Sequence, residues 1–211
     1  WEKFFENKRL EIKKRQLVSG LVKVVVSEDE VRGICGRMLA EIPAAVEQVL
    51  LMSDKIREAA RDYMMAEHLF YIGRGVDYDL CVEGSLKLKE ISYIHSEAYA
   101  AGELKHGTIS LITPGVPVVA LTTAANVCEK TISGIREVIS RGARVLSVCS
   151  EELAEKFQIP YEDQIIIPAI DEFLAPFPAV TVFQLFAYHM SALKGYDVDK
   201  PRNLAKSVTV E

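Results

Sequence analysis

Four short apolar runs constrain the fold of this chain more than any other feature of its sequence. The run at 144–149 is nearly continuously apolar. All four runs are 68–72, 116–122, 144–149 and 164–168. A strand with one face in solvent alternates apolar and polar residues, so runs of this kind predict strands that are covered on both faces.

Helical patterns separate these strands. The predicted helices are 27–64, 79–97, 125–141 and 180–194. Ser27 followed by three acidic residues predicts the first helix start, and Pro43 predicts a new turn within that segment. Gly142 and Gly195 follow the last two helices as stop signals. Alternating strands and helices imply βαβ units, and the fold class is therefore α/β with a parallel sheet.

Composition excludes several functional classes. The formal net charge of -5 argues against a nucleic-acid partner and against an anionic membrane surface. No run approaches the roughly 20 apolar residues that a membrane span needs. The four cysteines lie apart among apolar neighbours, which predicts reduced thiols and a cytoplasmic protein.

The loops after Ile72 and Thr122 should form the rim of any site, because ligands of such sheets bind beyond the carboxyl ends of the strands. The first of these loops contains Gly73 and Gly75, but Tyr78 stands where a dinucleotide loop would have its third glycine. Two interpretations remain open for this loop. It is either a tight strand-to-helix turn or a place near an anion at a helix N-terminus.

Three charged residues share one face of the helix predicted at 79–97. Glu83, Lys87 and Glu90 are spaced by four and three residues. Such a face is either a surface ion-pair ladder or a source of acid–base groups. His106 lies further along in a loop beside Gly107. A glutamate, a histidine and a lysine together are the parts needed for proton transfer next to a carbonyl.

The C-terminal tail is unusually apolar. Leu204, Ala205, Val208 and Val210 surround Lys206, so we expect the tail to pack on the domain. A lysine drawn into a partly dry site has a lowered pKa and can form a Schiff base, whereas a lone tail lysine is ordinarily solvated.

The remaining histidines predict no separate site. His95 and His189 lie inside predicted helices and His68 precedes a strand, so we expect each to be packed or on the surface. No pair of residues has the spacing of metal ligands. We therefore expect neither a metal nor another cofactor.

Two long segments, 83–107 and 197–211, resemble the glutamine–fructose-6-phosphate aminotransferase (glucosamine-6-phosphate synthase) family. The isomerase part of that family consists of two sugar isomerase (SIS) domains, each a doubly wound, flavodoxin-like α/β fold. The resemblance implies that this chain is the second SIS domain with an N-terminal helical extension. The implied division is an N-terminal segment at 1–26, a helical linker at 27–64, and the SIS domain with its tail at 65–211.

The resemblance also implies roles for five residues. Glu90 resembles the base that moves a proton between C1 and C2 of fructose 6-phosphate. Lys206 resembles the lysine that forms a Schiff base with the open-chain sugar, and Ala205 resembles a backbone contact to it. His106 resembles the histidine that opens the sugar ring and reaches into the neighbouring subunit's site. Lys87 resembles a supporting lysine beside the glutamate.

Departures from the family pattern lead to further expectations. Thr108 replaces the proline that usually follows the histidine and glycine, which should loosen that loop. The family's glutaminase domain and its phosphate-binding first SIS domain have no counterpart in these 211 residues. We therefore expect an isolated chain without synthase activity that forms a homodimer and takes a phosphosugar as its ligand. The alternatives are a free-standing SIS module that binds a phosphosugar in a regulatory or scaffolding role, and a split enzyme.

Overall fold

The computed structural model describes residues 27–202. The chain divides into two compact units, Trp1–Met38 and Leu39–Glu211. The segment 1–26 lies outside the described residues. The expected helix start at Ser27 is confirmed, since its backbone N–H donates to Glu30 Oε2 at 2.7 Å and its Oγ accepts from the Glu30 N–H at 3.2 Å. This reciprocal pair is a capping box.

Helices and strands alternate over most of the described chain. The helices are α1 (Glu28–Leu51), α2 (Ser53–Tyr63), α3 (Val76–Ser92), α4 (Cys128–Ile139), α5 (Glu151–Phe157) and α6 (Pro176–Leu193). The strands are β1 (His68–Gly73), β2 (His95–Ala100), β3 (Pro117–Thr122), β4 (Arg144–Ser150) and β5 (Asp163–Ile167).

All five strands are parallel and lie in the order β2-β1-β3-β4-β5. This is the flavodoxin-like order, in which the strand sequence reverses between β1 and β3. The predicted α/β class with a doubly wound parallel sheet is therefore confirmed. In sheets of this order, ligands bind beyond the carboxyl ends of the strands at the point of reversal, which here lies between the loops after β1 and β3.

The sheet is covered on both faces, which explains its apolar strands. Leu69 and Tyr71 of β1 belong to one core cluster with residues of α2, α3 and α6. Phe70 and Ile72 of the same strand belong to a second cluster with residues of α4 and α5. Successive side chains point to opposite faces, so a strand buried on both sides is apolar throughout.

The end of the helix predicted at 79–97 is wrong. Helix α3 ends at Ser92, and His95 begins strand β2 instead of lying in a helix. Tyr93 terminates the helix in the left-handed conformation, with φ 61° and ψ 14°. β2 is an edge strand that carries polar residues such as Glu97, so it lacks the apolar run that identified the other four strands.

Other boundaries shift by smaller amounts. Pro43 lies inside α1, and the break before the next helix falls at Met52. A proline removes one intrahelical hydrogen bond, and the 24-residue helix keeps the bonds on either side of it. Helix α5 was not anticipated, because its seven residues are too few for a helical period to stand out. Gly142 and Gly195 have φ of 86° and 75°, as expected of helix stops.

Within residues 27–202, no helix is long and apolar enough to cross a membrane. The same residues contain no group of three or more histidine, cysteine or acidic side chains that could hold a metal ion. All four cysteines are free, and three of them are buried.

Candidate functional site

The charged face of α3 forms as the residue spacing predicts. Lys87 Nζ lies 2.9 Å from Glu90 Oε2 and 3.6 Å from Glu83 Oε1. The Glu90 side chain is 24% exposed and that of Lys87 is 34% exposed. The three groups therefore lie at a partly buried surface where a small polar molecule can reach them.

The Lys87 ammonium is the electrostatic centre of this face. The hydrogen bond to Glu90 raises the pKa of Lys87 above its ordinary value, against an opposing effect of burial, and both glutamates add to the rise. Lys87 is therefore a cation at neutral pH. A protonated amine cannot act as a nucleophile, but it can hold a carboxylate in place and stabilise nearby negative charge.

The opposite face of α3 fixes the position of the helix. Cys81 and Leu88 are fully buried in the core. A Cβ on Gly84 would come within 2.6 Å of Phe183 in α6 and 3.1 Å of Tyr71 in β1. Only a glycine permits so close an approach, so the packing holds the helix, and with it Glu90, firmly against its neighbours.

The N-terminus of α3 is bound to the loop after β3 through a buried carboxylate. Asp77 is 1% exposed and accepts hydrogen bonds from the backbone N–H groups of Thr123 at 2.8 Å and Ala124 at 3.2 Å. It also accepts one from the Thr123 hydroxyl. Burial raises the pKa of Asp77, whereas these hydrogen bonds lower it. The two loops expected to rim a site are therefore joined at the point where the strand order reverses.

The geometry at Gly73 supports the first of the two interpretations of the loop after β1. A Cβ on Gly73 would lie 2.6 Å from the Asp77 backbone, so the loop is a tight strand-to-helix turn. Asp77 lies in the first turn of α3, and its side chain accepts the hydrogen bond of the Thr123 backbone N–H. The signal available in the sequence was an acidic residue in the first helical turn, where it complements the helix dipole.

His106 is presented to solvent on a separate loop. It ends the short 3₁₀ turn Glu103–His106, and its side chain is 74% exposed. Its Nε2 lies 4.0 Å from Glu103 Oε2. Within residues 27–202, no hydrogen bond or ion pair joins His106 to Lys87 or Glu90.

The chain's last described residues return to the C-terminal end of α3. The Arg202 backbone N–H donates to the Tyr93 hydroxyl at 2.9 Å, and the Arg202 guanidinium carbon lies 4.0 Å from the centre of the Tyr93 ring. Ala205 and Lys206 lie outside the described residues, as does the expected packing of the tail. No sequence pattern pointed to Tyr93, because the helix was expected to continue past it.

The other histidines occupy structural positions. His189 is 8% exposed in α6, and its Nε2 lies 2.9 Å from the Ser53 hydroxyl. His68 and His95 begin neighbouring strands, with ring centres 5.7 Å apart. The expectation that these residues are packed or at the surface holds for all three.

The chain is similar in sequence to glutamine–fructose-6-phosphate aminotransferases. It is 50% identical over 186 residues to the glutamine–fructose-6-phosphate aminotransferase of Clostridium perfringens, a match that covers 88% of this chain and 30% of that protein. It is 46% identical over 173 residues to the aminotransferase of Brucella abortus, covering 82% of this chain and 28% of that protein. The chain thus spans about a third of the length of these relatives.

A solved structure gives the same result for the fold. The C-terminal domain of glucosamine-fructose-6-phosphate aminotransferase from Francisella tularensis matches with a TM-score of 0.77 and 34% identity, covering 83% of this chain and 49% of that one. The SIS domain family model matches residues 63–194, well over half of the 211-residue chain. The resemblance inferred from the two motif segments is therefore confirmed, and the chain belongs to the SIS domain family.

Proposed function

We propose that this chain is the second sugar-isomerase domain of a glucosamine-6-phosphate synthase and carries the residues that isomerise fructose 6-phosphate. The observation that carries the proposal is the partly buried Glu83–Lys87–Glu90 face of α3. The chain that carries it is 50% identical over 186 residues to a glutamine–fructose-6-phosphate aminotransferase. An ion-pair ladder in solvent does not need a helix that is fixed in place, whereas a catalytic base must be held in position.

Glu90 and Lys206 divide the chemistry between them in this proposal. The amine of Lys206 condenses with the C2 carbonyl of the open-chain ketose, releasing water and forming an imine. Ammonia from the glutaminase reaction then displaces the lysine at C2, which gives the free sugar imine and regenerates the Lys206 amine. Glu90 then takes a proton from C1 and returns it to C2, which converts the ketose skeleton to the aldose skeleton. A single base can perform both transfers because the two carbons are adjacent.

Lys87 has a supporting role and not a nucleophilic one. Its raised pKa keeps it protonated, and its 2.9 Å contact fixes the Glu90 carboxylate. An ammonium group at this position also lowers the cost of negative charge that develops on the sugar as the C1 proton leaves. The Ala205 backbone contributes a contact to the sugar beside Lys206.

His106 opens the sugar ring in the site of a neighbouring subunit. The 74% exposure of its side chain supports a role outside its own chain. The active unit is accordingly a homodimer with a phosphosugar ligand, located in the cytoplasm. Residues 27–64 form the linker to a first SIS domain, and 65–211 form the SIS domain with its tail.

The isolated 211-residue chain should be inactive. A sugar phosphate is held mainly through its charged phosphate, and this function belongs to the first SIS domain. Asp77 also weighs against the alternative of a free-standing phosphosugar-binding module. It already occupies the backbone N–H groups of Thr123 and Ala124 at the strand ends, which are the groups that such a module would use for an anion.

A chimera tests the proposal. The 186 aligned residues of the Clostridium perfringens aminotransferase are replaced by those of this chain, and the product is assayed for glucosamine 6-phosphate. We expect synthase activity from the chimera, none from the isolated chain, and borohydride trapping of fructose 6-phosphate on Lys206. A folded chimera that neither turns over nor traps the sugar would refute the proposal, as would turnover by the isolated chain.

A further inference from the structure

We propose that Glu137 is a positioning residue that fixes the turn carrying His106 against helix α4. It does so through an ion pair with Lys105, the residue that precedes the histidine. The ion pair is a contact between described residues. Its consequence for opening of the sugar ring rests on the function proposed above.

Helix α4 packs closely against the chain that leads into this turn. A Cβ on Gly134 would lie 3.0 Å from the Ala101 carbonyl oxygen and 3.1 Å from the Ala101 Cβ, so the helix backbone approaches the chain directly. Leu104 is 1% exposed and belongs to a core cluster that also contains Ile135 and Val138 of α4. The helix is therefore the support on which the turn lies.

Glu137 adds a polar contact further along the same helix. It follows Gly134 by three residues, which places both on one face of α4. Its Oε2 lies 3.4 Å from Lys105 Nζ. Because Lys105 and His106 are neighbours in the short turn Glu103–His106, a contact that restrains the lysine also restrains the backbone of the histidine.

Arg141 prepares the Glu137 carboxylate for this contact. Its Nη1 lies 2.9 Å from Glu137 Oε1 and donates a hydrogen bond to the Glu137 backbone carbonyl at 2.9 Å. Hydrogen bonds with Arg141 and Lys105 lower the pKa of Glu137, so the carboxylate is charged at neutral pH. An isolated surface ion pair contributes little, because two long side chains lose freedom to form it. In this network of three charges, Arg141 already holds the shared carboxylate.

The backbone on the other side of His106 offers less restraint. Gly107 has φ 133° and ψ -46°, and a glycine permits more backbone movement than any other residue. The placement of the exposed imidazole therefore depends on the contacts of Leu104 and Lys105 that precede it. A misplacement of about 1 Å in a catalytic group can cost about 10²-fold in rate, so a hold at Lys105 affects how well the histidine meets the sugar.

Amide hydrogen exchange of the full 211-residue chain tests the hold, with the peptides covering 101–112 as the readout. Glu137→Gln keeps the shape of the side chain and removes its charge, and we expect exchange in these peptides to rise about threefold. Lys105→Met removes the other partner and should give the same rise. The double variant should rise no further, because the two residues act through one contact.

The matched control is Glu162→Gln. It removes the carboxylate from the ion pair with Arg144, which is about as exposed as the pair between Lys105 and Glu137, and it should leave these peptides unchanged. Circular dichroism checks that each variant is folded. Unchanged exchange in both single variants would overturn the proposal, as would effects that simply add in the double variant.

The chimera tests the consequence for ring opening with two sugars. Fructose 6-phosphate must open its ring before it reacts, whereas 5-deoxyfructose 6-phosphate lacks the hydroxyl that closes the ring. We expect Glu137→Gln to lower kcat/KM about tenfold for the first sugar and to leave it unchanged for the second. An equal loss with both sugars would defeat the positioning role. A native-sequence chimera that is inactive with both sugars would defeat the proposed function alone, since hydrogen exchange decides the hold independently.

Discussion

Replacing Gly84 by alanine should destabilise the protein, although alanine is the better helix former. The substitution adds one methyl group to the face of α3 that packs on α6. That methyl carbon would lie 2.6 Å from Phe183 Cδ2 and 3.0 Å from Phe183 Cγ. Carbon atoms in contact are ordinarily about 3.5–4.0 Å apart, so either the ring or the helix must move.

The sign of the effect depends on two opposing quantities. Alanine in a helix interior is more favourable than glycine by about 1 kcal/mol. Overpacking a core position costs about 1–3 kcal/mol. We expect the cost here to lie at the upper end of that range, because Phe183 is only 1% exposed and has little room to move. The expected net loss is about 1–2 kcal/mol in the free energy of unfolding.

Urea unfolding followed by circular dichroism measures this loss, and a double-mutant cycle identifies its cause. If the aromatic ring is responsible, Gly84→Ala should cost much less in a Phe183→Leu background, because a smaller side chain leaves room for the methyl group. A Gly84→Ala protein more stable than the wild type by about 1 kcal/mol would refute the reasoning, since helix propensity alone would then decide the outcome.

Two further predictions concern buried polar groups. Asp77→Ala should lower the free energy of unfolding by about 3 kcal/mol in urea titrations, because it leaves the N–H groups of Thr123 and Ala124 without their acceptor; a loss below 1 kcal/mol would contradict this. Burial lowers the pKa of His189 below 6.5, and Arg57 adds to the effect. This histidine therefore has the higher pKa in the unfolded chain, which binds a proton at a higher pH than the folded protein does. The free energy of unfolding should decrease as the pH falls below about 6.5. The decline should be smaller in His189→Gln, and an unchanged pH profile would show that this histidine is not responsible.

Local spacing predicted the candidate site better than it predicted the helix that carries it. The Glu83–Lys87–Glu90 face follows from helix geometry alone, since residues three and four apart are neighbours whatever the rest of the fold does. The four core strands were also accessible, because burial on both faces leaves a continuous apolar run in the sequence.

The remaining features depend on contacts that are distant in sequence. Strand β2 pairs with β1 on one side and has a mixed polar pattern. The start of this strand was therefore assigned to the predicted helix at 79–97. Tyr93 ends α3 without a glycine, and Arg202, which donates a hydrogen bond to its hydroxyl, lies 109 residues later in the chain. Asp77 has its partners 46 and 47 residues away, and no periodic pattern in the sequence records such a contact.

Deuterium transfer to the sugar tests the central claim that Glu90 is the base. The chimera is incubated with fructose 6-phosphate in deuterium oxide, and the label at C1 and C2 is followed by NMR. Glu83→Gln is the matched control, since it changes the other glutamate beside the same lysine, 3.6 Å away. Glu90→Gln should slow the exchange by about 10²–10⁴-fold, as expected for loss of a general base, while Glu83→Gln stays within a few-fold of the wild type. Equal exchange rates in the two variants would contradict the assignment of Glu90.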